Sequence, residues 1–383
     1  MNPTELQTKA IKAISTWFKT SKKQYFKLFG YAGTGKSTII KYIIDECGLD
    51  QYNSQNVLYA SYTGKSCDVM RKKGLVNVST IHSLIYTPSV DEKTGIVKFI
   101  LNRASPLKQT KLLVLDEVSM VNEDLALDLL SFGIKILVLG DPGQLPPISG
   151  EGFFTTGEPD FFLDEVHRQA LESPIIALAT MIREGGGIPE DGNYDGVLNI
   201  QHFNNYDFES LFDYDQIITG MNKTRRVINN VFKEHYNLTT YPDKKDLKLI
   251  ILKNNKDFGI FNGMMVKSLT GIKGLTDKKM RFTQSIITDS GVKLKDVDFS
   301  TVPYDEYNQK IDMTPRVNKL TNKLISADYG YCISVHKSQG DQYDSLLFLD
   351  DGLFMWDAPL RKKLLYTAVT RAVEKLTFIK GVG

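Results

Sequence analysis

Short apolar runs and amphipathic segments alternate along most of the chain. The runs have no polar face, which is typical of parallel strands buried on both faces, and the segments between them have helical spacing. The predicted strands are residues 25–29, 56–61, 111–117, 134–140, 216–220, 346–349 and 375–379. The predicted helices are residues 3–20, 38–44, 224–233 (with Thr224 as N-cap) and 360–373. This alternation predicts an α/β fold made of two α/β units.

Three segments interrupt the alternation. Residues 89–100 contain a polar turn followed by alternating apolar positions, which predicts a β-hairpin that projects from the first unit. Phe99 in this hairpin is either part of its core or an exposed wedge. Residues 184–196 contain five Gly and two Asp, which predicts a loop or linker. Residues 248–299 contain short apolar runs separated by Asn-Asn, Asn-Gly and Thr-Gly turns, so we expect a small, barrel-like β insert that divides the second unit.

The composition fits an ordinary water-soluble protein. A length of 383 residues is enough for two or three domains, and a net charge of +2 favours no partner, so a nucleic-acid site would be a local groove. Cys47, Cys67 and Cys332 lack C-x-x-C spacing, so we expect a reducing compartment with neither a zinc site nor disulfides. The chain has no apolar signal segment and no run of about 18 apolar residues, so neither a signal peptide nor a membrane span is expected.

The segment Gly30–Ser37 reads Gly-Tyr-Ala-Gly-Thr-Gly-Lys-Ser and lies between a predicted strand and a predicted helix. It matches the phosphate-binding pattern G-x-x-x-x-G-K-[ST] at every fixed position. The glycines let backbone N–H groups surround an anion, and the following helix directs its positive end to the same place. Lys36 can reach the β- and γ-phosphates, and the Ser37 hydroxyl can ligate Mg²⁺. The loop alone therefore predicts nucleotide hydrolysis.

Acidic and amide side chains follow two later strands of the first unit. Asp116 and Glu117 end the apolar run 111–117. Asp116 suits an outer-shell contact to Mg²⁺, and Glu117 suits a general base that activates water. Gln144 follows the strand of residues 134–140 and would lie near the γ-phosphate, where its amide can bond phosphate and water. The same loop holds three prolines, so a rigid turn is the competing role.

Two further groups of residues are candidates for anion contacts. Thr63, Lys65 and Ser66 follow the second predicted strand and could hold phosphate oxygens, or Thr63 could be a plain helix N-cap. Arg168 and Arg371 belong to the second unit and are natural cations for a γ-phosphate, with unpaired surface arginine as the alternative for each. If the second unit supplies the cation, hydrolysis requires closure of a cleft between the units, and closure can move a bound strand.

These motifs and their order resemble those of superfamily 1 helicases of the RecD-like 5′-to-3′ branch, and within it the Dda-like helicases. The resemblance extends from Gln7 to Ala372. It rests on residues 33–38 (motif I), 59–66 (Ia), 79–83 (Ib), 115–120 (II), 140–147 (III), Arg168 (IV), 334–340 (V) and 366–372 (VI). Motifs III, V and VI together are specific to this superfamily. Motif Ia departs from the family, since Tyr62-Thr63 stands in place of Pro-Thr.

The resemblance implies a particular domain organisation. The expected fold is two RecA-like P-loop NTPase-type domains, with a β-hairpin insert in the first and an SH3-like β insert in the second. The implied bounds are 1–85 and 110–160 for nucleotide-binding domain 1A, 86–109 for pin 1B, 161–245 and 327–383 for domain 2A, and 246–326 for the SH3-like domain 2B. The pin carries Phe99 and would separate the strands of a duplex.

The same resemblance implies roles for individual residues. The implied catalytic residues are Lys36, Asp116, Glu117, Gln144, Arg168 and Arg371, with Ser37 and Asp116 at the metal. The implied nucleotide contacts are Gln7 at the adenine (a solvated helix residue on pattern alone), Gly33, Thr34, Gly35, Lys36, Ser37, Thr38 and Gly340. The implied DNA contacts are Thr63, Lys65, Thr80, His82, Phe99, Ser334 and His336.

The implied function is that of an ATP- and Mg²⁺-dependent DNA helicase that translocates 5′-to-3′ on single-stranded DNA and unwinds duplex. It would act as a monomer on single strands and strand junctions in replication or recombination, with replication or single-strand-binding proteins as further partners. We expect a cytoplasmic protein (in the host cytoplasm if phage-encoded) without membrane association. Three alternatives stay open: a P-loop NTPase that remodels protein, a DNA-binding module with a decayed ATPase, and a translocase that does not unwind.

Overall fold

The computed structural model describes residues 3–90, 97–146, 152–166, 172–253, 255, 258, 260, 262–276, 280–288, 291–304, 321, 323–351 and 357–382. The helices are α1 (Glu5–Thr20), α2 (Ile40–Glu46), α3 (Gly64–Lys72), α4 (Ile81–Ile85), α5 (Glu123–Leu130), α6 (Pro174–Glu184), α7 (Asn222–His235) and α8 (Ala358–Val369). Within these residues, no helix combines the length and the apolar character needed to cross a bilayer.

The strands alternate with these helices. They are β1 (Tyr25–Gly30), β2 (Val57–Ser61), β3 (Val78–Thr80), β4 (Tyr86–Val90), β5 (Val97–Leu101), β6 (Leu112–Asp116), β7 (Lys135–Gly140), β8 (Phe161–Leu163), β9 (Gly192–Tyr194), β10 (Leu198–His202), β11 (Gln216–Thr219), β12 (Lys248–Ile251), β13 (Met265–Ser268), β14 (Lys273–Thr276), β15 (Arg281–Thr288), β16 (Lys293–Ser300), β17 (Ala327–Tyr329), β18 (Cys332–Ser334), β19 (Tyr343–Asp351) and β20 (Ala372–Val382). Every strand predicted from an apolar run overlaps one of them, with bounds that differ by one to three residues at an end.

The first unit is a parallel sheet in the order β3-β2-β6-β7-β1-β8. Its central strands are buried along their length because both faces are covered. One face packs on α1 and α2, and the other face packs on α4 and α5. The carboxyl ends of β1, β6 and β7 therefore meet at one edge, which brings the phosphate-binding loop beside the acids that follow β6.

The second unit is a sheet in the order β18-β11-β19-β20-β10-β9, parallel except for the pairing of β9 with β10. Helices α6 and α8 cover one face, and α7 covers the other. Strand β9 lies within residues 184–196, where we predicted a loop, because a three-residue edge strand carries too little pattern to identify. The α/β prediction with two parallel-sheet units is confirmed.

Helix α7 corrects one sequence prediction. Its N-cap is Met221, without a side-chain cap bond, so the prediction of Thr224 as N-cap is wrong. The Asp351 carboxylate at the end of β19 accepts hydrogen bonds from the backbone N–H groups of Gly220 (2.7 Å) and Met221 (3.3 Å). These bonds orient the chain directly after β11, so the helix begins before Thr224 is reached.

Two antiparallel elements are attached to the parallel sheets. Strands β4 and β5 form a two-stranded sheet in which Phe99 is opposite Pro88, and the turn between them, residues 91–96, lies outside the described residues. A third sheet has the order β14-β15-β13-β12-β17, with β16 on β15, and these strands pair antiparallel. Its own core includes the stacked rings of Phe282 and Phe299, 5.4 Å apart. The strand of residues 327–329, which we assigned to domain 2A, pairs with β12 of this sheet.

Candidate nucleotide site between the two units

The phosphate-binding loop joins β1 to α2 at the carboxyl edge of the first sheet. Gly33 (φ +80°) and Gly35 (φ +77°) are in the left-handed region, which is available to glycine at little cost. The Lys36 ammonium donates to the backbone carbonyls of Gly30 (2.6 Å) and Tyr31 (2.9 Å). Lys36 is thus held over its own loop, and its charge faces the space that phosphates would enter.

A cleft of about 720 Å³ opens in front of this loop and is lined by both units. The first unit contributes Tyr31, Ala32, Gly33, Gly35, Lys36, Ser37, Thr38, Ser66, Val69, Lys73, Asp116, Glu117, Asp141 and Gln144. The second unit contributes Ile176, Gly340, Gln342, Thr370, Arg371, Ala372 and Val373. Most of the nucleotide residues predicted from sequence are therefore brought together around one cleft.

Asp116 connects the phosphate-binding loop to the predicted general base. Its Oδ2 accepts from the Ser37 hydroxyl (3.3 Å), and its Oδ1 accepts from the backbone N–H of Glu117 (2.9 Å). Burial raises the pKa of the Asp116 carboxyl, the charge of Glu117 adds to this effect, and the charges of Lys73 and Lys36 oppose it. A hydroxyl and a carboxylate at this distance are a fitting oxygen pair for Mg²⁺.

Glu117 has a left-handed backbone (φ +55°, ψ +53°), which is uncommon for a non-glycine residue. This conformation turns the chain sharply after β6 and puts the Glu117 side chain into the cleft.

Among the described residues of the second unit that line the cleft, Arg371 carries the positive charge. It follows α8, and its side chain is 6% exposed. Its guanidinium lies 3.5 Å from Oε1 of Glu117 and donates to the carbonyls of Thr367 (3.1 Å) and Asp341 (3.3 Å). Arg168 lies outside the described residues, so its role in the site stays a prediction.

The loop after β7 reaches across to the second unit. Gln144 lines the cleft, and its Oε1 accepts from the Ser119 hydroxyl (3.3 Å). Its neighbour Leu145 is fully buried in the hydrophobic core of the second unit. The backbone N–H of Leu145 donates to the Thr367 hydroxyl and its carbonyl accepts from the Gln339 amide, each at 2.9 Å. This loop therefore does more than form a rigid turn, because it also joins the two units.

Gln7 lies beside the phosphate-binding loop, although it is far from it in sequence. It is buried, and its amide nitrogen donates to the Thr34 carbonyl (3.1 Å). Its carbonyl oxygen accepts from the backbone N–H of Thr4 (3.0 Å) in the capping box of α1. Gln7 is therefore not the solvated helix residue that the pattern alone allowed, and its role at an adenine stays a prediction.

Three predicted DNA contacts share one local role. The hydroxyls of Thr63, Thr80 and Ser334 cap α3, α4 and a 3-10 helix (Val335–Ser338), respectively, each after a parallel strand. Each hydroxyl accepts from the backbone N–H three residues later (3.1, 3.2 and 3.4 Å).

The N-cap alternative for Thr63 is correct. The Thr63 hydroxyl also shares a hydrogen bond with the Ser66 hydroxyl (2.7 Å), and the Thr80 hydroxyl donates to the Ser83 hydroxyl (2.9 Å). A hydroxyl can turn its single proton from such a neighbour to a phosphate oxygen, so the cap does not exclude a phosphate contact.

The other predicted DNA contacts are described less completely. His82 lies between the rings of Tyr62 (5.4 Å) and Tyr86 (5.8 Å). Burial lowers the pKa of His336. Lys65 lies on α3 and Phe99 on β5, and their side chains are outside the described part of the structure.

Sequence reasoning identified Arg371 and the motif of residues 366–372, but it missed the bonds that the polar residues before Arg371 make. Tyr366 and Thr367 lie in the second half of α8, and Thr370 is its C-cap. All three are buried polar residues, and each bonds to the first unit or supports Arg371. The available signal was their clustering in an otherwise buried helical segment, because buried polar groups need partners.

Comparison with known proteins was consistent with this geometry. Residues 11–150 match the family described as an AAA domain, and residues 329–379 match the UvrD-like helicase C-terminal domain. The chain is 25% identical over 374 residues to the ATP-dependent RecD2 DNA helicase of Deinococcus radiodurans, which covers 91% of this chain and 46% of that protein. It is 32% identical over 209 residues to the ATP-dependent DNA helicase dda of Enterobacteria phage T4, which covers 51% of this chain and 45% of that protein. The chain thus spans about half the length of these curated relatives.

Solved structures share the fold. The Pif1 helicase from Bacteroides in complex with ADP-AlF3 and single-stranded DNA has a TM-score of 0.59 at 17% identity and covers 100% of this chain and 93% of its own. A structure of two coordinating Pif1 helicases at forked double-stranded DNA has a TM-score of 0.57 at 17% identity, with 99% and 92% covered. The predicted fold of two RecA-like domains is therefore confirmed, and the SH3-like nature of the second insert stays a prediction.

Proposed function

The matched families, the relatives and the fold support a superfamily 1 helicase of the RecD-, Pif1- and Dda-like kind, and from that premise we propose that this protein is an ATP-dependent DNA helicase. It translocates 5′-to-3′ on single-stranded DNA and unwinds duplex DNA. The observation that carries this proposal is the position of Arg371 across the cleft from Glu117, because it makes the nucleotide site dependent on both units.

Each residue of the cleft has a role in hydrolysis. Lys36 leaves the loop carbonyls and binds the β- and γ-phosphate oxygens. Ser37 and Asp116 would hold Mg²⁺, which would supply positive charge beside the phosphates. Glu117 accepts a proton from the attacking water. Gln144 bonds the γ-phosphate, and Arg371, with Arg168, stabilises the charge that develops on it.

Hydrolysis is coupled to movement through the loop that contains Gln144. This loop contacts the nucleotide cleft on one side and is bonded to the second unit through Leu145 on the other. Loss of the γ-phosphate removes contacts that hold Arg371 and Gln144 in place, so the cleft opens and the second unit shifts along the bound strand.

The DNA lies across the caps of both units. Thr63 and Thr80 belong to the first unit and Ser334 to the second, and all three cap helices at the carboxyl ends of parallel strands. Each cap presents a hydroxyl and nearby backbone N–H groups, which suit phosphate oxygens. We place Lys65, His82 and His336 beside this path, and Phe99 at the strand-separating pin. The active unit is a monomer, and single-strand-binding or replication proteins are candidate partners.

The decisive experiment measures ATP hydrolysis and unwinding together. We expect ATPase activity stimulated by single-stranded DNA, and unwinding of duplexes with a 5′ tail and not of those with a 3′ tail. Lys36→Ala should abolish hydrolysis, since it removes the cation at the β- and γ-phosphates. An ATPase indifferent to single-stranded DNA would favour a protein-remodelling NTPase. DNA binding without hydrolysis would favour a decayed ATPase.

A further inference from the structure

Tyr366 occupies the junction between the two units and has no role in the mechanism above. It lies on α8 of the second unit and is 2% exposed. Its hydroxyl accepts a hydrogen bond from the backbone N–H of Ala32 in the phosphate-binding loop, at 2.8 Å. The same hydroxyl donates to Oδ2 of Asp141, also at 2.8 Å. A single oxygen from the second unit therefore bonds two separate loops of the first unit.

The first unit is shaped to receive this side chain. A Cβ atom at Gly143 would lie 2.8 Å from Cε1 of the Tyr366 ring, so only glycine allows the ring to pack here. The remaining oxygen of the Asp141 carboxylate, Oδ1, accepts from the backbone N–H of Gly143 at 2.9 Å. Both oxygens of this buried carboxylate are thus bonded, one to its own loop and one to Tyr366.

Tyr366 is also linked to the arginine of the cleft. Helix α8 ends at Val369, and only its C-cap, Thr370, separates it from Arg371. The guanidinium donates to the carbonyl of Thr367, which is the residue after Tyr366 (3.1 Å). Because one short, buried segment carries both side chains, moving the Tyr366 hydroxyl away from Ala32 also moves Arg371 away from the loop that holds the phosphates.

We propose that Tyr366 is a positioning residue that latches the two units together and so sets the place of Arg371 at the γ-phosphate. The two hydrogen bonds of the hydroxyl form only in the closed arrangement, because both partners are within reach only when the phosphate-binding loop and the Asp141 loop contact α8. The ring alone packs against Gly143, so it is the hydroxyl that makes the contact specific. This inference rests on the proposed function for its effect on hydrolysis, and it rests on the structure alone for its effect on closure.

The test uses Tyr366→Phe, which keeps the ring and removes the two hydrogen bonds. Tyr206→Phe is the matched control, because Tyr206 is a buried tyrosine of the same unit whose hydroxyl bonds Ser210 locally. With single-stranded DNA at saturation, we expect kcat for ATP to fall by about tenfold or more in Tyr366→Phe, with KM changed by about twofold or less. The control should retain the activity of the unaltered protein.

A second measurement follows closure without depending on hydrolysis. The native cysteines are buried, so a Tyr52→Cys, Val227→Cys variant can be labelled selectively with a fluorescent pair, since Tyr52 of the first unit is 71% exposed and Val227 of the second unit is 55% exposed. Without nucleotide, Tyr366→Phe should shift the energy-transfer distribution toward longer distances, and Tyr206→Phe should not. Asp141→Asn should add little to the shift when it is combined with Tyr366→Phe, since both changes break the same contact.

The outcomes separate the two proposals. A fall in kcat together with longer distances supports the latch. Unchanged distances overturn it, whatever the effect on kcat, because the hydroxyl would then act without holding the units together. A protein whose ATPase ignores single-stranded DNA, but whose distances lengthen in Tyr366→Phe, would refute the helicase proposal and keep the latch.

Discussion

Arg371 and Glu117 face each other across the cleft, with Nη1 of the guanidinium 3.5 Å from Oε1 of the carboxylate. This distance is too long for a strong hydrogen bond, and the guanidinium is held mainly by the carbonyls of Thr367 and Asp341. Neutral carbonyls orient the arginine without cancelling its charge. Under the proposed function, this arrangement leaves the charge of the arginine available to a γ-phosphate in the cleft that Lys36 also lines.

The first prediction concerns the charge of Arg371. Arg371→Ala should lower the DNA-stimulated kcat for ATP by roughly 10³- to 10⁵-fold, because the developing charge on the γ-phosphate loses its cation. Arg371→Lys should restore little, since an ammonium cannot reproduce the fork of the guanidinium. Steady-state ATPase assays measure both. Arg226→Ala, at an exposed arginine on α7 of the same unit, is the control for loss of a positive charge, and a similar fall there would contradict the assignment.

The nucleotide-binding half of the site was predictable from sequence because its signals are local. A buried strand, a glycine-rich turn and a helix occur in one stretch, and the structure has β1, the loop and α2 in those places. The acids after β6 followed from the same logic, since a fully apolar strand delivers its next residues to the carboxyl edge of a parallel sheet. Helix α6 also had local signals that we did not use, with Pro174 in its first turn and Gly185 as its C-cap.

The contacts between the units were not predictable in this way. Leu145 is one more apolar residue in a proline-containing loop, and only the folded chain places it in the core of the second unit. Tyr366 bonds Ala32, which precedes it by 334 positions, and no periodicity reports a pairing over that separation. Such contacts depend on how two complete sheets face each other, which is a property of tertiary packing.

The second prediction tests how closely the units approach at Gly340. Its φ is +81°, and a Cβ atom there would lie 1.9 Å from the Ser66 hydroxyl oxygen of the first unit. Gly340→Ala should therefore hold the cleft open and lower the DNA-stimulated ATPase by about tenfold or more. Gly185→Ala is the matched control, because Gly185 has φ +87° and nothing within 4 Å of its added Cβ.

The Gly340→Ala defect has two conceivable causes, which are contact with the first unit and backbone strain at a positive φ, and Ser66→Ala distinguishes them. It removes the hydroxyl oxygen that the new Cβ would meet, so the double variant should regain part of the lost ATPase activity if contact between the units is the cause. If Gly185→Ala and Gly340→Ala lower activity equally, backbone strain explains the effect and the packing interpretation is wrong.

The third prediction concerns the antiparallel pair β4–β5 as a pin. Phe99→Ala should abolish strand separation while the DNA-stimulated ATPase stays within about twofold of the unaltered protein, since the nucleotide cleft is untouched. Ile100→Ala, at the exposed neighbouring residue of β5, is the control. The measurement is unwinding of a 5′-tailed duplex together with ATPase activity. Full unwinding by Phe99→Ala would show that Phe99 does not act as a pin.

The last prediction concerns pH and Asp350, whose carboxyl lies 3.6 Å from the Arg361 guanidinium at the end of β19. Burial raises the pKa of Asp350 from its usual 3.8 to about 6, the charge of Arg361 opposes this shift, and the charge of Asp351 adds to it. Among the described residues, its Oδ1 has no hydrogen-bond partner. Ionising this carboxyl is therefore more costly in the folded protein than in the unfolded chain.

The sign of the effect follows from proton uptake. Between about pH 4 and pH 6 the folded state binds more protons at Asp350 than the unfolded state does, so the free energy of unfolding falls as the pH rises through this range. Asp350→Asn removes that titration. The free energy of unfolding of this variant, taken relative to that of the unaltered protein, should therefore increase by about 1–3 kcal/mol when the pH is raised from 4 to 7.5. Urea unfolding at both pH values measures the change. The control is Asp344→Asn, at an exposed position of the same strand, and a gain for Asp350→Asn that is equal at both pH values would show that burial of the charge is not the cause.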